Sequence, residues 1–390
     1  MKNNSILFWR TFLTPRCWES KKERLFCLSV IFLFVACKKE LITTAPVLPI
    51  VQLKVQLGQD LFFDKSLSNP VGLSCSSCHA PETAFTDLNH SIVSEGAVDG
   101  LYGNRNAPSI AYSMFTPSAL HYSIPDSSYK GGFFLDGRVN TLVQQAQKPF
   151  LNELEMNNPN PAAVIFKLNA VSYFPVYRQV YGDVTDVAAA FNNIADAIAA
   201  YEASVGLTNR FTSKYDYYLK GQASLTVEEL SGMQLFSDTL RGKCTKCHLI
   251  SLDPSCGKAL FTDFTYSNDG VPKNPDNPYY TIPSAFNPSG SNYVDVGLGD
   301  FVINRAYNGM FKVSTLRNIA ITAPYFHNGC FNTLDEVVHF YNIRNLPGSG
   351  YPPPEVASNI DTVNTGNLHL TPQEEKDIVS FLKTLTDGYK

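Results

Sequence analysis

The sequence predicts an all-α fold made of two similar domains, and three observations carry that reading. First, an ordered set of motifs occurs twice. Gly58-Gln59-Asp60-Leu61-Phe62, Cys75-Ser76-Ser77-Cys78-His79 and Phe85-Thr86-Asp87 return as Gly232-Met233-Gln234-Leu235-Phe236, Cys244-Thr245-Lys246-Cys247-His248 and Phe261-Thr262-Asp263. Two copies of a whole unit indicate duplicated domains rather than a solenoid. Second, the stretch between the copies carries apolar residues at spacings of three and four, the helical period. Third, no strand-rich region is visible. Hydrophobic residues make up 44% of the chain and charged residues 17%, the balance of a packed globular protein.

Taken in order, residues 1–36 read as a targeting leader. Lys21-Lys22-Glu23-Arg24 precedes an apolar run from Leu25 to Val35, too short to span a bilayer by itself. The run ends in Phe34-Val35-Ala36-Cys37, which resembles a lipobox with Cys37 as the acylated residue; an ordinary secretory signal or a signal anchor is the alternative. All three imply export to the periplasm, and lipid on Cys37 would tether the chain to a membrane. Residues 37–54 read as a linker, 55–220 as the first domain and 221–390 as the second. Both tryptophans, Trp9 and Trp18, fall in the leader. Without it the chain has 25 basic and 33 acidic residues, a balance that argues against nucleic-acid binding.

Within the first domain, Pro161–Tyr181 and Val187–Leu219 are predicted to be helical. Residues 265–300 and 345–367, rich in Asn, Pro, Gly and Ser, read as long loops. The last helix is well signalled: Thr371 as N-cap, Pro372 at the first helical position and Glu374 closing a capping box. Ile378, Phe381, Leu382 and Leu385 then form one apolar stripe.

The two CxxCH motifs carry the chemistry. Such a motif attaches haem c: Cys75 and Cys78, and again Cys244 and Cys247, add across the haem vinyl groups, and His79 and His248 become proximal iron ligands. Zinc or redox-dithiol readings account for neither the repeated His nor the leader. Two covalent haems are therefore expected. Cys256 and Cys330 are left over, and a disulfide between them is left open.

Between and after the motifs come Asp136-Gly137-Arg138, Gln145, Pro149 and Glu155-Met156, then Phe311-Lys312-Val313, Leu316-Arg317-Asn318 and Thr322-Ala323-Pro324-Tyr325-Phe326-His327-Asn328-Gly329. From about Gly58 to the last helix, this set resembles the bacterial diheme cytochrome c peroxidase and MauG family. The resemblance implies two cytochrome c-like domains. The haem on His79 would be the site where hydrogen peroxide binds. Glu155 would move its proton, with Gln145 and Pro149 as the other distal positions. It also implies a calcium ion held by the Asn106 side chain and the carbonyls of Thr322 and Pro324, with water completing the shell.

Three positions depart from the family pattern. Val98 stands where many members have a His that caps the first iron, and His90 is a substitute candidate. Tyr341 stands where typical peroxidases place the distal Met of the second haem. A Tyr there is the MauG type, with Met310 and His339 as the other ligand candidates. Leu135 stands where a Trp usually lies between the haems. The implied reaction is reduction of peroxide to water, with electrons from a small donor protein, such as a monohaem cytochrome or a cupredoxin, entering through the second haem. The alternatives are a MauG-like oxidase of a protein or organic substrate, and a non-catalytic diheme electron carrier. A homodimer is an assembly the sequence leaves open.

Overall fold

The computed structural model describes residues 48–204, 206 and 208–390. The leader, Cys37 and most of the predicted linker lie outside the described residues. Eleven α-helical segments follow along the described chain: α1 (Ile50–Phe63), the single turn α2 (Cys75–Cys78), α3 (Leu142–Leu151), α4 (Pro161–Leu168), α5 (Phe174–Tyr181), α6 (Val187–Glu202), α7 (Lys214–Leu219), α8 (Val227–Ser237), the single turn α9 (Leu298–Phe301), α10 (Leu334–Ile343) and α11 (Pro372–Lys383).

The sequence repeat becomes a repeat of packing. In the first copy α1 lies across α6, and in the second α8 lies across α11. Each crossing is made at a glycine of the repeated motif. A Cβ on Gly58 would sit 1.9 Å from the Ala197 carbonyl oxygen, and one on Gly232 would sit 1.9 Å from that of Asp377. No side chain fits at either place, so the helix backbones meet directly. Leu61 and Phe62 follow the first glycine into a core with Ile194, Ile198 and Tyr201. Leu235 and Phe236 follow the second into a core with Ile378, Phe381 and Leu382. Each such side chain contributes about 1.5–3 kcal/mol when fully buried.

The caps act as the sequence predicts. The Thr371 side chain accepts the Glu374 N–H, Glu374 reaches back to the Thr371 N–H, and Pro372 opens α11. Ile378, Phe381, Leu382 and Leu385 are all buried.

Two expectations are corrected. The fold is not all-α: six strands of two or three residues pair antiparallel as β1 (His121–Ser123) with β2 (Ser128–Lys130), β3 (Leu252–Asp253) with β4 (Lys258–Ala259) and β5 (Tyr266–Ser267) with β6 (Phe311–Lys312). Strands this short leave no readable alternation. Second, the two long helical stretches are each broken. Pro175 enters the first turn of α5 and cannot continue a helix arriving from α4. Gly206, at φ +88°, interrupts the chain after α6, and Ser213 and Asp216 form a new capping box for α7. The pairing that the sequence leaves open is absent, for Cys256 and Cys330 are free thiols. Cys256 packs against the first core and Cys330 against the second. Among the described residues no helix is long and apolar enough to cross a membrane.

Two candidate haem cavities

Behind each CxxCH motif lies a cavity. The first is lined by Cys75, Cys78 and His79, the second by Cys244, Cys247 and His248. Burial raises the thiol pKa of all four cysteines, that of Cys78 to about 11 and that of Cys244 to about 12. Redox dithiols need the opposite shift. These are neutral, sheltered thiols facing a cavity.

The two histidines are held alike. His79 Nδ1 donates to the Phe85 carbonyl at 3.0 Å, and His248 Nδ1 to the Phe261 carbonyl at 2.9 Å. A carbonyl only accepts, so the proton is on Nδ1 and the Nε2 lone pair is free for a metal. Burial also lowers both imidazole pKa values, which favours the neutral ring. The repeated Phe-Thr-Asp motif thus has a task that the sequence does not announce. Phe85 and Phe261 adopt positive φ values of 63° and 53°, and each offers its carbonyl to the histidine. The paired thiols, the oriented imidazoles and the apolar walls fit covalently attached haem in both cavities.

The distal residues converge on the first cavity. Gln145 and Pro149 lie four residues apart on α3, hence on one face. As a proline, Pro149 also removes the helical hydrogen bond to the Gln145 carbonyl. The turn after α3 brings Glu155 to the same wall. Asn152 Nδ2 donates to Glu155 Oε1 at 2.9 Å. Burial pushes the Glu155 carboxyl above the ordinary glutamate value, against the opposing pull of Asn152 and Arg138. A second acid on this wall, Glu202 of α6, escaped sequence reasoning. It is buried, its Oε2 has no hydrogen-bond partner, and burial raises its pKa to about 8.

Tyr341, on α10, lines the second cavity, and its hydroxyl donates to Asp269 Oδ2 at 3.0 Å. The other ligand candidates are elsewhere: His90, Met310 and His339 are on neither wall. His90 Nδ1 donates to the Ala323 carbonyl, and His339 Nδ1 contacts Glu375. Val98 joins a separate small apolar cluster with Leu101 and Tyr279.

Leu135 and Lys312 line both cavities, as do Asn106 and Pro108. Arg105 anchors the region, pairing with Asp136 and with Asp295, each at 2.6 Å. Burial works to raise the Asp295 carboxyl, but Arg105 outweighs it and holds it below the usual range. Asn106 Nδ2 donates to the carbonyls of Ser91 and Ile92 at 3.2 and 3.0 Å. That leaves its side-chain oxygen as the free end, on the wall that also carries Thr322 and Pro324.

Comparison with known proteins agrees with this geometry. Residues 52–224 match the di-haem cytochrome c peroxidase family model. The chain is 36% identical over 354 residues to the methylamine utilization protein MauG of Paracoccus denitrificans, covering 85% of this chain and 88% of that one. It is 29% identical to the cytochrome c551 peroxidase of Pseudomonas aeruginosa, covering 87% and 80%. Among solved structures, the diheme peroxidase BthA of Burkholderia thailandensis superposes with a TM-score of 0.74 at 31% identity, covering 86% of each chain. With cavities, thiols and histidines duplicated as the sequence is, the chain belongs to the diheme cytochrome c peroxidase and MauG family.

Proposed function

We propose that this protein is an exported diheme peroxidase that reduces hydrogen peroxide to water at the first cavity. The carrying observation is the placement of Glu155, with Gln145 and Pro149, on the wall of the cavity that holds His79. Bound there and in the second cavity, haem c supplies the iron redox chemistry, with electrons from a small donor protein entering on the His248 side. Overall, one peroxide takes two electrons and two protons and leaves as two waters. Glu155 receives a proton from one peroxide oxygen and returns it to the other, so that water rather than hydroxide departs. Its raised pKa brings it nearer to the working pH of such a shuttle. Asn152 fixes the carboxyl through one oxygen and leaves the other for substrate. Tyr341, on the wall of the second cavity, would hold the iron of the second haem. A calcium ion would be held by the Asn106 side-chain oxygen and the carbonyls of Thr322 and Pro324. Lipid on Cys37 tethers the mature chain to the membrane.

Tyr341 on the second cavity wall favours a second reading, a MauG-like oxidase. Leu135 counts against it, since the wall shared by the cavities has an aliphatic side chain where an aromatic relay would stand. Stopped-flow spectroscopy of the oxidised protein with peroxide separates the readings. A peroxidase turns over rapidly when a reduced donor protein is added. A long-lived two-haem oxidised state that ignores the donor and consumes an organic substrate overturns the peroxidase reading. Haem extracted by acid–acetone would overturn covalent attachment.

A further inference from the structure

Lys312 has no place in the proposed chemistry, yet its position is unusual. It lines both cavities. Its ammonium donates to the Gly132 carbonyl and lies 5.8 Å from the centre of the Phe133 ring and 5.9 Å from that of Tyr266. The nearby acid is Asp136, and it is already committed. Asp136 Oδ2 accepts from Arg105 at 2.6 Å, and both its oxygens accept from Arg138, at 2.9 and 2.8 Å. Other sheltered cations have carboxylates of their own: the buried Arg317 has Asp216 and the part-buried Lys214 has Glu229. Lys312 forms no ion pair within 4 Å among the described residues. Burial presses its pKa down to about 7, with Asp136 opposing. An ammonium withdrawn from water without an anion is costly. The missing anion therefore comes with what fills the cavities, and haem carries two carboxylate side chains.

We propose that Lys312 is a cation shared by the two cavities, with haem carboxylate as its counter-ion, and that its charge raises the reduction potential of both haems together. This rests on the reading that each cavity holds a haem. A positive charge favours the form with one more electron. Because Lys312 borders both cavities, one substitution acts on both. Lys243 is the contrast: it lines the second cavity and not the first.

The test is a spectroscopic redox titration of the purified diheme protein, with haem counted as the pyridine haemochrome. In Lys312→Met both potentials fall, whereas Lys312→Arg stays near wild type. Lys243→Met moves the second potential alone. With two haems bound, a Lys312→Met protein in which one potential or neither moves overturns the proposal. Haem loss in Lys312→Met with retention in Lys312→Arg supports the counter-ion role, and loss in both overturns it, because arginine keeps the charge. A wild-type protein with fewer than two haems would instead refute the diheme reading.

Discussion

The Tyr341 hydroxyl donates to Asp269 Oδ2 across 3.0 Å, and both residues face the second cavity. Burial raises the phenol pKa well above its ordinary value, and the Asp269 carboxylate adds to the effect. The free phenol is therefore neutral, and its proton points at a base. Ligation through oxygen requires that proton to leave, and Asp269 is in contact to accept it. An anionic oxygen ligand lowers a haem potential, whereas methionine raises it. Tyr341→Met is therefore expected to raise the second potential markedly in a redox titration. Asp269→Asn should weaken Tyr ligation, seen as loss of the tyrosinate charge-transfer band. A methionine-type spectrum in the unmodified protein would sink the assignment.

Glu155→Gln should leave both haem spectra intact and slow peroxide turnover by about 10²–10⁴-fold, the usual contribution of a general acid–base group. The wild-type profile of kcat/KM for peroxide should fall on the acid side, because the carboxyl must be ionised to accept the first proton. Its raised pKa places that limb above the ordinary glutamate range. The limb should vanish in Glu155→Gln. A loss below tenfold, or an unchanged acid limb, would count against the proton shuttle.

Local signals in the sequence were legible where they act locally. The CxxCH motifs, the capping box at Thr371 and Glu374, and the i, i+4 pair Gln145 and Pro149 all fall within a few residues. What depends on distant partners was not. β5 and β6 pair Tyr266 with Lys312, an association that two-residue strands cannot signal. Asp269 meets Tyr341 from 72 residues away. Glu202 reads as an ordinary polar end of an Ala-rich helix until packing buries it. Family resemblance gave Leu135 its place between the cavities, and the shared wall agrees, but nothing in the residue type alone could.

The two glycine crossings should be separable. Gly58→Ala and Gly232→Ala each place a methyl against a backbone carbonyl that cannot yield cheaply. Overpacking of this kind costs about 1–3 kcal/mol, occasionally more. Each substitution acts on the core that lines its own cavity, through Ile198 in the first and Phe236, Ile378 and Leu382 in the second. Gly58→Ala should therefore reduce incorporation of the first haem and Gly232→Ala of the second, as counted on proteolytic fragments by mass. Full retention of both haems and an unchanged melting temperature would contradict direct contact of the helix backbones.

Glu202 should make stability fall with rising pH. It is 4% exposed, its Oε2 has no partner, and burial lifts its pKa from 4.5 to about 8. The folded protein thus holds this proton more tightly than the unfolded chain does. The stability linked to it is whole below the unfolded pKa and is lost as pH rises through about 8. Glutamine keeps the shape and cannot ionise. The melting temperature of Glu202→Gln relative to wild type should therefore climb between about pH 5 and pH 9. The conservative Glu202→Asp, which still titrates, should not reproduce that climb. A difference that stays flat with pH would show that Glu202 ionises without penalty. In that case an acceptable partner, such as water entering the first cavity, must reach its second oxygen.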